Sequence, residues 1–202
     1  MEWKFDFSGG QLCLDFVNTV DDRATSPLDR LATYGDLVAW GQQAQILLEA
    51  TAHRLLELAG ASPHEASAVL HQVREVREAI FRIFVAVTQE REPPGEDMQR
   101  INAQLAQAME HARIIQDGQQ FRWAWAGMGE ALESVLWPVV RATADLLTSD
   151  NLPLVRICAA DDCRWLFLDT SKNHSRRWCS MSSCGNRAKA RRHSIRQRQV
   201  SF

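Results

Sequence analysis

Long apolar segments are missing from this chain of 202 residues. No stretch reaches the roughly 18 consecutive apolar residues of a membrane-spanning helix. The opening MEWKFDFSGG carries acidic residues and has no basic segment leading into an apolar one, unlike a secretory leader. We therefore expect a cytoplasmic protein with neither feature. With 46% apolar and 24% charged residues, the composition predicts one ordinary globular domain and a small appended unit.

Cysteine and positive charge are scarce over the first 155 residues. That part holds Cys13 alone, and 12 Lys+Arg against 22 Asp+Glu give it a formal charge of −10. Residues 156–202 hold the other four cysteines, and 11 Lys+Arg against 3 Asp+Glu give a formal charge of +8. We predict an acidic N-terminal domain over residues 1–150 and a basic unit over residues 151–202, with the boundary in the loop TSDNLP.

Apolar residues recur at helical spacing through most of the N-terminal domain. The longest pattern opens at Ser62-Pro63, which suit a helix start, and continues with apolar residues three or four apart to Val87. The segment RIIQDGQQFRWAW predicts a β-hairpin turned at Asp117-Gly118. A mainly helical domain with a small hairpin or sheet is therefore expected.

The four cysteines of the basic unit form two evenly spaced pairs. Cys158 and Cys163 flank four residues, as do Cys179 and Cys184, with fifteen residues between the pairs. Such spacing predicts a closed four-cysteine site for one zinc ion per chain, although rubredoxin-type iron has the same geometry. Disulfides are disfavoured without a secretion signal. We expect WLFLDT and SRRWC to form a hairpin between the pairs and the second pair to begin a helix, together a treble-clef-like ββα zinc finger.

Basic residues run from Lys172 to Arg198 without an intervening acid. Along a helix that begins at a metal site, such residues suit DNA phosphates and groove edges, so DNA is the expected partner. The alternatives are a solvated tail and a tail docked on the acidic domain. The predicted contact residues are Arg176, Arg177, Arg187, Lys189, Arg191 and Arg192.

The run Cys184-Gly185-Asn186-Arg187, preceded by Trp178-Cys179-Ser180-Met181, closely resembles the CGNR zinc finger of bacterial proteins. The segment FSGGQLCLDFVNTV, followed by Trp40, resembles the start of the ABATE domain that precedes this finger in stress-induced transcription regulators. The resemblance implies a mostly helical domain and a DNA-binding finger with the four cysteines as ligands. Within the motif, Gly185 permits close backbone approach and Asn186 braces the turn. For Arg187 the alternative to a phosphate contact is a salt bridge with Asp161, Asp162 or Asp169.

Four polar residues of the N-terminal domain are candidates for lining a pocket for a small-molecule effector. Asp15, Asn18 and Thr19 share a short polar helical face, and Arg77 lies on the long helix. The alternative is a buried, hydrogen-bonded brace between two helices.

No catalytic pattern is recognisable. The chain has no identifiable nucleophile-base pair, phosphate loop or HExxH, and a closed four-cysteine site has no open coordination position. We expect a DNA-binding transcription regulator rather than an enzyme, with an N-terminal domain that senses a signal or forms a homodimer. The alternatives are a zinc-thiolate redox sensor and a protein-docking module.

Overall fold

Residues 4–191 are described by a computed structural model of the chain, and helices dominate them. The helices are α1 (Leu12–Val17), α2 (Tyr34–Gln43), α3 (Glu49–Ala61), α4 (Pro63–Thr88), α5 (Gly95–His111) and α6 (Leu136–Leu147). The strands are β1 (Val20–Asp21), β2 (Leu28–Asp29), β3 (Ala112–Asp117), β4 (Gln120–Trp125), β5 (Val155–Ile157) and β6 (Leu166–Leu168), each paired antiparallel with its neighbour in sequence. A π-helical turn, Met181–Gly185, leads into helical residues 186–191.

Helix α4 is the centre of the core. It begins at Pro63, as predicted, because a proline at the first helical position has no N–H for the helix to leave unpaired. The side chains of Val76, Ile80 and Ile83 are fully buried, and the helix packs against α1, α2, α3 and α5. Burying a side chain of this size contributes about 2 kcal/mol. The predicted mainly helical fold is confirmed.

The predicted hairpin is also confirmed, with β3 and β4 paired from Ala112↔Trp125 to Asp117↔Gln120. Gly118 takes a positive φ of 62° in the turn, which glycine adopts without strain. The hairpin leaves large apolar side chains in solvent, namely those of Ile114, Phe121 and Trp123.

Strand β6 contributes to two cores at once. Leu166 and Leu168 lie in the main core with Val155 of β5, whereas Phe167 between them packs with the four cysteines. Alternate residues of a strand point to opposite faces, so three consecutive residues reach both clusters. The boundary expected at residue 150 lies in the turn after α6, but β5 and β6 pack on the N-terminal domain, and the division stays a prediction.

The hairpin of the finger lies elsewhere than expected. β6 pairs with β5 around the first cysteine pair, in the register Val155↔Leu168, and SRRWC forms no strand. The reason is Asp169, a fully buried residue whose carboxylate accepts bonds from the N–H groups of Ser171 and Arg176. These bonds turn the chain away directly after β6. The expected pairing of WLFLDT with SRRWC is therefore wrong.

None of the helices within residues 4–191 combines the length and apolar character that crossing a bilayer requires.

Candidate metal centre

The four cysteines of the finger converge on one point. The sulfurs of Cys158, Cys163, Cys179 and Cys184 lie within 4.8 Å of one another, with 3.7 Å from Cys163 to Cys179 and 3.6 Å from Cys179 to Cys184. A Zn–S bond of about 2.3 Å places the sulfurs of a tetrahedron about 3.8 Å apart. All four residues are at most 5% exposed and none forms a disulfide. The donor set therefore fits a closed tetrahedral site with four thiolate ligands.

Two tight turns deliver the sulfurs. The first turn follows β5, where the Cys158 N–H donates to the Trp165 carbonyl at 2.8 Å and the Cys163 N–H donates to the Ala160 carbonyl at 3.2 Å. In the second pair, Cys179 precedes the π-helical turn and Cys184 lies within it. The Gly185 N–H closes this turn by donating to the Ser180 carbonyl at 3.0 Å.

Gly185 is closely surrounded within the second turn. A Cβ at this position would lie 2.7 Å from the Met181 sulfur and 3.6 Å from the Trp178 ring, as the predicted close approach requires. The Asn186 amide donates to the Ser182 carbonyl at 3.2 Å, which braces the turn.

The electrostatics of the cluster favour a thiolate. Hydrogen bonds from the Cys163 and Cys179 thiols lower the pKa of Cys158 to about 2, and the same contacts raise the pKa values of those two donors. Protons are thus shared unequally among crowded sulfurs, and a divalent cation stabilises all of them as thiolates. The Arg187 guanidinium donates to the Cys184 sulfur at 3.2 Å and adds positive charge.

Two family models match the chain. The model described as "ABATE: Putative stress-induced transcription regulator" matches residues 10–150, and the CGNR zinc finger model matches residues 155–198, which include all four cysteines. The chain belongs to the ABATE family. No curated protein matches it significantly. With the sulfur geometry and the CGNR match together, this ABATE chain binds one zinc ion through Cys158, Cys163, Cys179 and Cys184, as predicted.

The predicted DNA-contact residues differ in their surroundings. Arg176 is half-buried: its guanidinium donates to the carbonyls of Trp178, Cys179 and Ser8 and lies 4.5 Å over the Phe167 ring. Because Ser8 belongs to the N-terminal part, Arg176 ties the finger to that part.

Four other predicted contact residues, which fall within residues 4–191, lie at the surface. Arg187 pairs with Asp162 at 3.4 Å, and Arg191 pairs with Asp161 at 3.1 Å and with Asp162 at 3.3 Å. Arg177 and Lys189 are exposed, without an ion pair among residues 4–191. Arg192 lies outside the described residues.

All four polar residues predicted to line a pocket in the N-terminal domain are buried and hydrogen-bonded. Asn18 donates to and accepts from the backbone of Leu166, at 2.8 and 3.0 Å. Asp15 accepts from the Gly9 N–H at 2.8 Å. Arg77 donates to the Thr19 hydroxyl at 3.1 Å and holds Asp29 with two bonds of 2.7 and 2.8 Å. Thr19 and Arg77 meet, whereas Asp15 and Asn18 hold other segments.

Sequence reasoning missed the structural roles of three residues. Asp169 bends the chain after β6, Trp165 donates from its indole to the Val20 carbonyl at 2.8 Å, and Asp29 is the partner of Arg77. Trp165 and Val20 are 145 residues apart in the sequence. Local patterning carries no signal for such a pair, and only an observed fold reveals it.

Proposed function

We propose that this zinc-binding member of a regulator family is a DNA-binding transcription regulator whose finger contacts DNA. Support comes from one observation. The zinc cluster fixes the start of helical residues 186–191, and that segment carries the exposed basic side chains of Arg187, Lys189 and Arg191. The finger is formally +8 and the rest of the chain −10, so the basic surface faces a polyanion while the acidic part is repelled from it.

Within this proposal the basic residues have distinct roles. Arg177 and Lys189 are exposed and unpaired within the described residues, so we assign them to phosphates first. Arg187 and Arg191 exchange Asp162 for phosphate, an exchange that costs little because exposed ion pairs contribute about 0 to 1 kcal/mol. Arg176, held by three carbonyls, positions the finger. Arg192 joins the contact set on its sequence position alone.

Fluorescence anisotropy with a labelled random-sequence duplex tests the proposal. Zinc-loaded protein is titrated at two salt concentrations beside chelator-treated protein. We expect binding that weakens steeply with salt and disappears on chelation. Each phosphate contact contributes about 0.9 to the slope of log K against log salt. The double variant Arg177→Gln, Lys189→Gln is therefore expected to lower the magnitude of this slope by the contribution of about two phosphate contacts.

The matched control removes two positive charges from the N-terminal part. Arg54 of α3 and Arg113 of β3 are both exposed, and Arg54→Gln with Arg113→Gln is expected to leave the slope unchanged. If zinc-loaded protein does not bind DNA, the proposal is overturned, and docking on an acidic protein is favoured instead. An equal loss of slope in both double variants would assign the effect to net charge.

A zinc-thiolate redox sensor is the second candidate, and one cavity favours it. A space of about 310 Å³ between the finger and the N-terminal part is lined by Cys163, Cys179 and Cys184. A small oxidant in it would reach three sulfurs, and oxidising two thiolates to a disulfide releases the metal. Mild peroxide is expected to release zinc and abolish DNA binding together. Unchanged zinc content and DNA affinity after peroxide would exclude this function.

The remaining parts of the proposal concern the setting of the protein. Neither matching family is an enzyme family, and we propose a cytoplasmic, non-catalytic regulator. We also propose a homodimer, because specific DNA sites are commonly read by two-fold assemblies. Light scattering of zinc-loaded protein tests the dimer, and a monomer at all concentrations would remove it.

A further inference from the structure

A second cavity lies where the finger meets helix α4. It is open to solvent on one side and has a volume of about 530 Å³, within the range of small-molecule sites. Its lining combines three cationic side chains, two carboxylates and an apolar wall. The cations are Arg23, Arg77 and Arg164, the carboxylates are Asp29 and Glu78, and the wall is formed by Val20, Pro27 and Phe81.

Positive charge exceeds negative charge in this cavity. The two carboxylates are already satisfied: Arg77 bonds Asp29 at 2.7 Å, and Arg23 bonds Glu78 at 2.6 Å. Burial acts to raise the pKa values of both acids, but the arginine contacts outweigh it and hold them below their ordinary values. Both acids therefore stay ionised near neutral pH. Arg164 is exposed and has no ion-pair partner among residues 4–191, so one cationic group is left for a ligand.

Arg23, one of the lining residues, has a buried donor that is unpaired within residues 4–191 and lies against the ring of Phe81. The Nε atom of Arg23 is buried without a hydrogen-bond partner among the described residues, although leaving such a donor unpaired costs about 1 to 3 kcal/mol. The guanidinium carbon of Arg23 lies 4.1 Å from the centre of the Phe81 ring. A polar group therefore adjoins an apolar surface, as a ligand with one charged end and one apolar end requires.

The backbone holds Arg164 at the rim. Its φ of 60° is in the left-handed region, which a residue with a Cβ adopts only where its surroundings enforce it. The neighbours on both sides are fixed: Cys163 is a metal ligand, and the Trp165 indole bonds the Val20 carbonyl of the cavity wall at 2.8 Å. Arg164 is thus placed against the N-terminal part by the zinc site itself.

We propose that this cavity binds a small organic carboxylate, with its charged end on Arg164 and its apolar body against Phe81 and Pro27. The ligand would be the effector of the proposed regulator and in that respect rests on the proposed function, but binding itself does not require DNA. Of the residues expected to line an effector pocket, only Arg77 borders this one. Asp15, Asn18 and Thr19 do not.

Ligand and zinc are coupled in this arrangement. Release of the metal frees Cys163 and with it the position of Arg164, so removing zinc lowers the affinity for the carboxylate. Linkage requires the reverse by the same factor: bound carboxylate must raise the affinity for zinc. The cavity therefore connects the state of the N-terminal part to the state of the finger.

Calorimetric titration of full-length, zinc-loaded protein with benzoate tests the proposal. Benzamide is the matched neutral probe, since it has nearly the same shape without the charge. We expect one saturable site for benzoate and at least tenfold weaker binding of benzamide. Arg164→Asn removes the cation and keeps a residue that tolerates positive φ, and it is expected to weaken benzoate binding at least tenfold. Lys172→Gln, an equal charge change at an exposed finger residue away from the cavity, is expected to change nothing.

A second variant and a second readout complete the test. Phe81→Leu shortens the apolar wall and is expected to weaken benzoate several-fold, so the proposal stays testable if Arg164→Asn loses zinc. A colorimetric chelator reports zinc release, which benzoate is expected to slow in the wild type and not in Arg164→Asn. Absence of saturable binding by benzoate, phenylacetate and hexanoate up to about 10 mM would overturn the proposal. So would equal binding of benzoate and benzamide.

The two proposals can fail separately. Benzoate binding without DNA binding would leave the carboxylate site standing and remove the DNA function. DNA binding without benzoate binding would do the opposite.

Discussion

The N-terminal part and the finger are stabilised by different means. The first buries an extended set of large aliphatic and aromatic side chains, with Phe16, Trp40 and Ile80 fully inside. The second has a small cluster in which Phe167 is the one fully buried aromatic residue among four metal-ligating cysteines. Apolar burial stabilises a fold in proportion to the buried area, whereas a metal site contributes most of its folding free energy through a few metal–ligand bonds. Perturbations away from the junction of the two regions should therefore act mainly on one region each.

The largest effect is expected from breaking the metal site. Cys179→Ser removes one ligand of a site whose zinc contributes on the order of 10 kcal/mol in isolated fingers. We expect zinc content to fall well below one equivalent and the helix after Cys184 to unfold, while the N-terminal part keeps its helical circular dichroism. The matched control is Cys13→Ser, because Cys13 is buried in the other region. Loss of zinc in Cys13→Ser as well would refute the separation.

A cavity in α4 is expected to act on the other region. Ile83 is fully buried, and Ile83→Ala should lower the free energy of unfolding by about 2 to 5 kcal/mol through lost contacts and an empty volume. Urea denaturation measures the loss. Zinc stoichiometry should stay at one per chain, and a parallel loss of zinc would show that the regions unfold as one.

A pH dependence is expected from Asp15 in the N-terminal part. Burial, with a smaller contribution from Asp6, raises the pKa of Asp15 from 3.8 to about 7. Between these values the folded state keeps a proton that the unfolded state has lost, so stability falls as pH rises from about 4 to about 7 and then levels off. Asp15→Asn keeps the acceptor for Gly9 and should flatten this decline. Urea midpoints at pH 5 and pH 8 compare the two proteins, and equal declines would place the effect elsewhere.

The contact between the regions should give a smaller effect that joins them. Asn18→Ala leaves the N–H and carbonyl of Leu166 unpaired, which costs about 1 to 3 kcal/mol. We expect lower stability together with faster zinc release to a chelator, because Leu166 precedes the buried Phe167 of the metal cluster. Asn173→Ala, an exposed position in the finger, is the control. Unchanged zinc release in Asn18→Ala would show that the junction does not support the metal site.

Patterns that are local in sequence predicted local structure well. The spacing of Cys158, Cys163, Cys179 and Cys184 identified the metal site, Asp117-Gly118 identified a turn, and helical periodicity identified α4. Each of these signals depends on residues that are neighbours in the chain.

Tertiary pairing was not predictable in the same way. β6 is apolar on both faces, so its sequence does not show which strand it pairs with or that two cores share it. Arg77 was predicted as a candidate pocket residue on the long helix, but its partner Asp29 is 48 residues away. A buried charge implies that a partner exists, but only the fold identifies that partner.

The alternation of Leu166, Phe167 and Leu168 has a consequence for how such proteins evolve. A finger transferred alone by recombination into another gene would carry Leu166 and Leu168 without the surface that covers them. The recipient protein would have to provide a matching apolar groove, or the hybrid would aggregate and be degraded. The finger and the domain before it are therefore expected to be inherited as a unit, and hybrids that mix halves from distant relatives should survive only when the groove is inherited with the strand.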